Sequence, residues 1–323
     1  MADQSVLAWL VDADPAVRWQ VERDLLDAPE ATWRATRARV ETEGWGARLL
    51  AHQDADGQWA GGAFVPSGFD WQQWQAEGQP WTATYPVLTL LRGFGLDPAS
   101  PAARRTTELV GRNSRWDHAG QPFWAGEVEP CINGITLANG VYYGADVAAI
   151  VERLLDDQRP DGGWNCEDSP VSSFDSTINV LEGLLAWQQA TGAGETQVAR
   201  ARRAGEEYLL ERGLFRRRST GRPADPAYLQ LGHPFRWRHS VLRGLDHFRR
   251  AAGYERTPPD PRLAEAVAWL RSARAADGTW PLQARLAGRD WFELEPIGQP
   301  SRWITLFALR VLRWWAGYAP AGA

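Results

Sequence analysis

Hydrophobic positions along this chain fall into two kinds of segment that alternate from end to end. One kind is amphipathic with a helical period. In "VAAIVERLLDDQ", Ile150, Val151, Leu154 and Leu155 share one face and the charges take the other. The second kind is apolar nearly all round: "TATYPVLTLLRGF", "CINGITLANGVYY", "STINVLEGLLAW", "RWRHSVLRGLDHF" and "RWITLFALRVLRWW". A helix that is apolar on every side has to be enclosed. The pattern therefore predicts an outer, half-solvated helix followed by an inner, buried one, several times over. The opening segment "VLAWLVDADPAVRWQVERDLLDA" reads as one more pair, with Pro15 starting its second helix. Pro130 is expected at a first helical position, and Asp175 and Ser301 as N-caps. Strand-like alternation is absent.

A D-G-x-W element separates the two helices of a pair. It is clearest in "HQDADGQWAGG", "DDQRPDGGWNCE" and "SARAADGTWPLQ", with weaker copies in "GRNSRWDHAG" and "LERGLFRRRSTG". The aromatic anchors are Trp59, Trp116, Trp164, Phe215 and Trp280, spaced by 57, 48, 51 and 65 residues. The repeat divides a single domain, 1–323, into 1–30, 40–96, 100–144, 146–192, 200–253 and 262–317. Six αα-hairpins can close into a double ring, which buries the end faces that an open array must cap. The fold expected is all-α, an (α/α)6 toroid. Two loops, "AGGAFVPSGFDWQQWQAEGQP" and "PLQARLAGRDWFELEPIGQP", are long and aperiodic, as functional lids often are. They are expected over the inner-helix N-termini, where partial positive charge and unpaired N–H groups favour a site.

Composition narrows the function classes. The net charge is −5, which argues against a general nucleic-acid binder; lysine is absent, so every fixed side-chain cation is arginine. No apolar stretch reaches the roughly 20 residues a membrane span needs, and the N-terminus lacks a signal-peptide pattern, so the expectation is a soluble cytoplasmic protein. With 19 tryptophans the chain has material for a lined cavity. Candidate wall residues are Trp71, Trp74, Trp81, Tyr85, Trp124, Trp237, Trp291 and Trp303, and the expected ligand is a small apolar molecule. No sequence feature indicates a protein partner. G-x-S-x-G, H-E-x-x-H, P-loop and G-x-G-x-x-G motifs are absent.

The Q-x-x-D-G-x-W repeats resemble those of the terpene cyclase and protein prenyltransferase superfamily, over nearly the whole chain. The resemblance implies an α/α toroid with a central cavity suited to isoprenoids. The D-x-D-D motif of class II cyclases is missing, and "DDQRPD" reads as the end of an outer helix entering its turn. Prenyltransferase beta subunits hold zinc with an Asp-x-Cys opening one inner helix and a His opening the next. Here Glu129-Pro130-Cys131 and "FDSTINVLEGL" stand in those places, with Asp175 in place of the His. The resemblance thus implies a zinc site from Cys131, Cys166 and Asp175, with Glu129 a further candidate and His239 more distant. Such a zinc acts as a Lewis acid or activates a bound water or thiol. The same residues also read as buried thiols and helix-capping carboxylates.

Catalytic candidates are Asp175, His239 and Glu129. Without metal, burial would raise the Asp175 pKa and suit it to start a cyclisation whose cations rest on aromatic faces. The cations that beta subunits use for a diphosphate are missing from "PFWAGEV" and "WTATYPV", which leaves Arg236, Arg238 and His239, with Arg302, to serve a charged group. His233 and His239 are candidate proton shuttles or structural histidines. A second class is an (α/α)6 glycosidase or polysaccharide lyase with paired carboxylates drawn from Glu127, Glu129, Asp168, Asp175, Glu293 and Glu295. A third is a non-catalytic binder of lipid or peptide.

Overall fold

The computed structural model describes residues 4–318 apart from 193 and 195. Over these residues the chain is all-α: only isolated bridge pairs interrupt helices and loops. The helices are α1 (Gln4–Val11), α2 (Pro15–Asp24), α3 (Glu30–Ala38), α4 (Gly44–Leu50), α5 (Trp74–Glu77), α6 (Thr84–Phe94) and α7 (Pro101–Asn113). They continue with α8 (Pro130–Tyr143), α9 (Ala148–Asp156), α10 (Phe174–Thr191), α11 (Gln197–Leu210), α12 (Val241–Glu255), α13 (Ala264–Ser272) and α14 (Arg302–Ala316). None of them is long and apolar enough to cross a membrane.

The D-G-x-W elements explain how one helix of a pair is fixed to the next. The indole Nε1 of Trp59, Trp164 and Trp280 donates to the carbonyl ten residues earlier, at the end of the preceding outer helix: Leu49 at 2.7 Å, Leu154 at 2.7 Å and Leu270 at 2.8 Å. The backbone N–H of each donates forward, to the hydroxyl of Thr84, Thr177 or Thr305 in the first turns of the following inner helix, at 3.1, 3.1 and 3.0 Å. All three rings are fully buried. The glycine is required because Gly57, Gly162 and Gly278 take φ of +92°, +93° and +85°, a region open to glycine at little cost. The tryptophans of the repeat are therefore staples between helices.

Six helices, α2, α6, α8, α10, α12 and α14, pack each on the next in chain order, and α14 packs on α2. Bonds between neighbours join matching heights: Trp19 Nε1 to the Phe94 carbonyl at 2.8 Å, Asn139 to Thr89 at 3.0 Å and Arg310 to Gln20 at 2.8 Å. Their N-terminal turns consequently lie at one end and their C-terminal turns at the other. α8 and α10 approach most closely, because Gly134 and Gly183 face each other's backbones. A Cβ on Gly134 would come within 2.4 Å of the Asn179 carbonyl oxygen. α7, α9, α11 and α13 lie outside, each against the inner helix that follows or precedes it.

Three local expectations need correction. Ser173, not Asp175, caps α10, its Oγ accepting from Ser176 N–H at 2.9 Å; Ser301 caps α14 as expected. The segment "RWRHS" is not helical: Arg236 has φ +53°, and α12 starts only after Ser240 caps it. His239 accordingly stands just before α12 instead of within its first turn. The helix α3 falls between the first two repeat segments and packs against α2.

Candidate functional site

The inner helices surround a cavity of about 780 Å³. At the N-terminal end it is walled by rings: Trp81, Tyr85, Phe235, Trp237 and Trp303, with His233 stacked on Trp303 at 4.8 Å between centroids. Loops close that end. Trp81 N–H donates to the Arg289 carbonyl at 2.8 Å, Gln283 N–H to the Leu231 carbonyl at 2.8 Å, and Arg236 pairs with Asp290. Both long aperiodic loops do gather over the inner-helix N-termini, but as a plug. The exposed lining residues, Arg23, Gly93, Gln189 and Gly253, all lie in the last turns of inner helices, so the cavity opens at the C-terminal end.

That open end is cationic. Eight arginines line the cavity against two carboxylates, Glu182 and Asp246. Arg243 grips Glu182 with two bonds of 2.9 and 2.8 Å, Arg249 holds Asp246 at 2.9 Å, and Arg23 and Arg310 share Asp24. Arg37 reaches in from α3 to the Gly95 carbonyl at 2.8 Å and the Tyr142 hydroxyl at 2.9 Å. Arg92 and Arg250 make no hydrogen bond or ion pair among the described residues. Burial alone would push the Glu182 carboxyl up, yet Arg243, Arg250 and Arg92 together pull it down to about 2. Burial pushes the Arg92 guanidinium below its usual range, and neighbouring Glu182 opposes this. At the opposite end burial lowers His233 to about 3, so it is a neutral ring.

Beside the aromatic end lies a second cluster. The ligand atoms of Glu129, Cys131 and Cys166 fall within 4.8 Å of one another. Pro130 starts α8, as expected, and so sets Glu129 and Cys131 on either side of the helix start. The Cys131 thiol donates to Glu129 at 3.4 Å, and the Cys166 sulfur lies 3.2 Å from the Ser176 hydroxyl. The Cys166 sulfur, burial and the Glu129 carboxylate hold the Cys131 thiol well above its usual pKa. Tyr85 links the two regions: its phenol is raised chiefly by burial, with Cys131 and Cys166 raising it further and Arg243 and Arg92 opposing. Two sulfurs and one carboxylate within this span suit a tetrahedral zinc, whose bonds of about 2.3 Å to sulfur set ligands about 3.7 Å apart.

Other candidates lie elsewhere. Asp175 is not in the cysteine cluster: its oxygens accept from the His239 N–H at 2.6 Å and the Tyr228 hydroxyl at 3.1 Å. Burial raises its pKa as expected, but it does not line the cavity. His239 donates its Nε2–H to the Leu214 carbonyl at 2.7 Å and is lowered to about 3 by burial, which makes it a packed neutral ring. Trp71 is 56% exposed and stacks on Trp74 in the surface loop. Trp124 packs on Phe123, and Trp291 stacks on His52 behind the cavity wall. Arg302 points to the Trp9 and Asp12 carbonyls, and Arg238 lies over Trp237 outside the cavity. Of the predicted walls, Trp81, Tyr85, Trp237 and Trp303, with Arg236, do line it.

No protein-family model matches the chain, and no curated protein does. Among solved structures it is similar to a protein from Actinoplanes described only as such, at 20% identity and a TM-score of 0.44, over 94% of this chain and 90% of that one.

Of the carboxylates offered for paired hydrolysis, Glu127, Glu295 and Asp175 accept from backbone N–H groups. Glu127 accepts from Glu129 N–H at 2.7 Å, and Glu295 accepts from Arg302 N–H at 2.7 Å and from the Ser301 hydroxyl. Glu293 pairs with Arg285, and Asp168 is exposed. Apart from Arg236, the arginines that line the cavity were the residues sequence reasoning missed. Their signal was present: Arg92, Arg243, Arg249, Arg250 and Arg310 are charges on helices otherwise apolar all round. A charge on an enclosed helix must face either a partner or a cavity.

Proposed function

We propose that the chain is an (α/α)6 toroid of the terpene cyclase and prenyltransferase kind, and an enzyme that encloses an isoprenoid-like or other apolar molecule in its central cavity. The observation that carries this reading is the shape and lining of the 780 Å³ cavity, closed at one end by aromatic rings and open at the other. Apolar ligands of moderate size are bound in enclosures of this volume and character. Aromatic faces also stabilise a cation developing on a bound hydrocarbon. The cyclic packing of six inner helices supports the toroid.

Glu129, Cys131 and Cys166 are the residues that would hold a zinc ion, with a fourth position free. Zinc there would supply Lewis acidity or an activated water or thiol. Cys131, held protonated in the free protein, would release its proton on metal binding, so affinity should rise with pH. Metal analysis after incubation with zinc is expected to find roughly one equivalent, lost in Cys131→Ala and in Cys166→Ala. Metal-free protein at saturating zinc would remove this part of the reading. The zinc and cavity readings are independent.

Ligand binding is expected to quench the fluorescence of Trp81, Trp237 and Trp303 on titration with a C10–C15 prenyl alcohol, and Trp303→Ala to weaken that affinity about tenfold or more. Maltooligosaccharides are expected to leave the signal unchanged. A response to sugars and none to the prenyl alcohol would overturn the proposal.

A further inference from the structure

The chain has two cysteines, 35 positions apart, and folding sets them side by side. Their sulfurs lie within 4.8 Å of each other. Two features of the scaffold bring this about. The close approach of α8 and α10 at Gly134 and Gly183 draws the first turn of α8, which carries Cys131, towards the first turn of α10. The Trp164 staple then fixes the loop that enters α10. Its N–H donates to Thr177 at 3.1 Å, and two residues further on the Cys166 N–H donates to the Ser176 hydroxyl at 3.2 Å. The Cys166 backbone is thereby pinned to α10 while its sulfur meets the start of α8. Both cysteines are partly exposed, and Glu129, Glu167 and Asp168 around them are exposed, so a small molecule in solution can reach the pair. Each sulfur's own hydrogen-bond contact, to Glu129 at 3.4 Å or Ser176 at 3.2 Å, is weak for its type and easily exchanged.

We propose that Cys131 and Cys166 are a redox-modification site that closes to a reversible intramolecular disulfide. The oxidant is a low-molecular-weight disulfide of the glutathione class. The Cys166 sulfur bonds to one sulfur of the oxidant, the oxidant's own S–S bond breaks, and the first glutathione leaves with the Cys166 proton. The Cys131 sulfur then bonds to the Cys166 sulfur, and the second glutathione leaves with the Cys131 proton. Two electrons pass from the protein thiols to the oxidant. Cys166 reacts first because the Cys131 thiol hydrogen is held by Glu129. Sulfurs joined in this way offer no thiolate, so the closed state and a zinc-bound state exclude each other. The inference goes beyond the zinc reading and does not rest on it, since metal-free protein closes in the same way.

The test is intact-mass spectrometry of the full chain equilibrated with a chelator and glutathione at fixed total concentration and rising oxidised fraction. Wild type, Cys131→Ser and Cys166→Ser are compared. Wild type is expected to lose two hydrogens and to keep no glutathionyl group. Half-closure is expected at a ratio of oxidised to reduced glutathione at least about tenfold lower than the ratio that caps half of the single thiol in either variant, because the second step is intramolecular. Denaturing urea should raise the ratio that wild type needs by about tenfold or more, since the folded chain holds the sulfurs together and the unfolded chain does not. That comparison stands even where a variant fails to fold. Stable glutathionyl adducts on folded wild type, without loss of two hydrogens, would overturn the proposal. So would closure as easy in urea as in the folded chain, because the native positions would then contribute nothing.

Discussion

Trp164→Ala is expected to cost about 3–5 kcal/mol of stability, read as a lowered urea midpoint. The ring is fully buried, and its removal leaves a void at the junction of α9 and α10. It also leaves the Leu154 carbonyl without the indole donor at 2.7 Å. Trp164→Phe should retain most of the volume and lose mainly the hydrogen bond, so it should cost about 1–3 kcal/mol. Equal costs for both would mean that the indole N–H, more than the packing, fastens the outer helix to the inner one. A negligible cost for both would remove the account of the D-G-x-W element as a staple. The same experiment on Trp59 or Trp280 should give the same ordering, because each makes the same pair of bonds.

The second large effect concerns Glu182. Glu182→Gln should destabilise by about 3–5 kcal/mol, since it leaves Arg243 buried without its countercharge beside Arg92 and Arg250. The pH dependence follows from the folded-state value of about 2, below the ordinary carboxylate value of 4.5. A depressed carboxyl contributes stability that is present above the unfolded pKa and is lost as pH falls through the folded one. Its contribution, on the order of 3 kcal/mol, should be intact above about pH 5 and vanish progressively towards pH 2. The wild type should lose more stability than Glu182→Gln over that window, so their urea midpoints should converge on acidification. Parallel loss in the two proteins would mean that Glu182 is not the group responsible.

These two predictions divide between what recurs along the chain and what is assembled across it. The D-G-x-W element is local. Its glycine supplies a positive φ, and its tryptophan reaches back ten residues and forward to the next helix. A repeat of that kind is visible in one dimension. Likewise, the inner helices were legible because enclosure on all sides leaves no polar stripe, and α8 and α14 begin within a residue of where the apolar runs begin. The exception was α12. "RWRHS" reads in pattern as the start of the apolar run that follows it, but Arg236 at φ +53° and the cap at Ser240 delay the helix.

The site was less legible. Cys131 and Cys166 were marked as neighbours, and folding does bring them together with Glu129. Asp175, one residue in a first turn away from facing that cluster, instead turns to the His239 N–H and the Tyr228 hydroxyl, which belong to the loop before α12. Only the path of that loop decides this. Half of the expected aromatic wall, Trp81, Tyr85, Trp237 and Trp303, lines the cavity; Trp71, Trp74, Trp124 and Trp291 went to loops and outer packing, since a ring's composition says nothing of the direction it points.

The sequence by itself determined the all-α class, the alternation of outer and inner helices and the turns that join them, because helical periodicity and backbone conformation are properties of adjacent residues. The tertiary structure decided which end of the inner helices is plugged and which is open. It also decided that arginines from α2, α3, α6, α12 and α14 converge on one mouth, and that carboxylates there are too few to match them. Charge balance in an enclosed space is a sum over segments far apart in the chain, and it exists only once they meet.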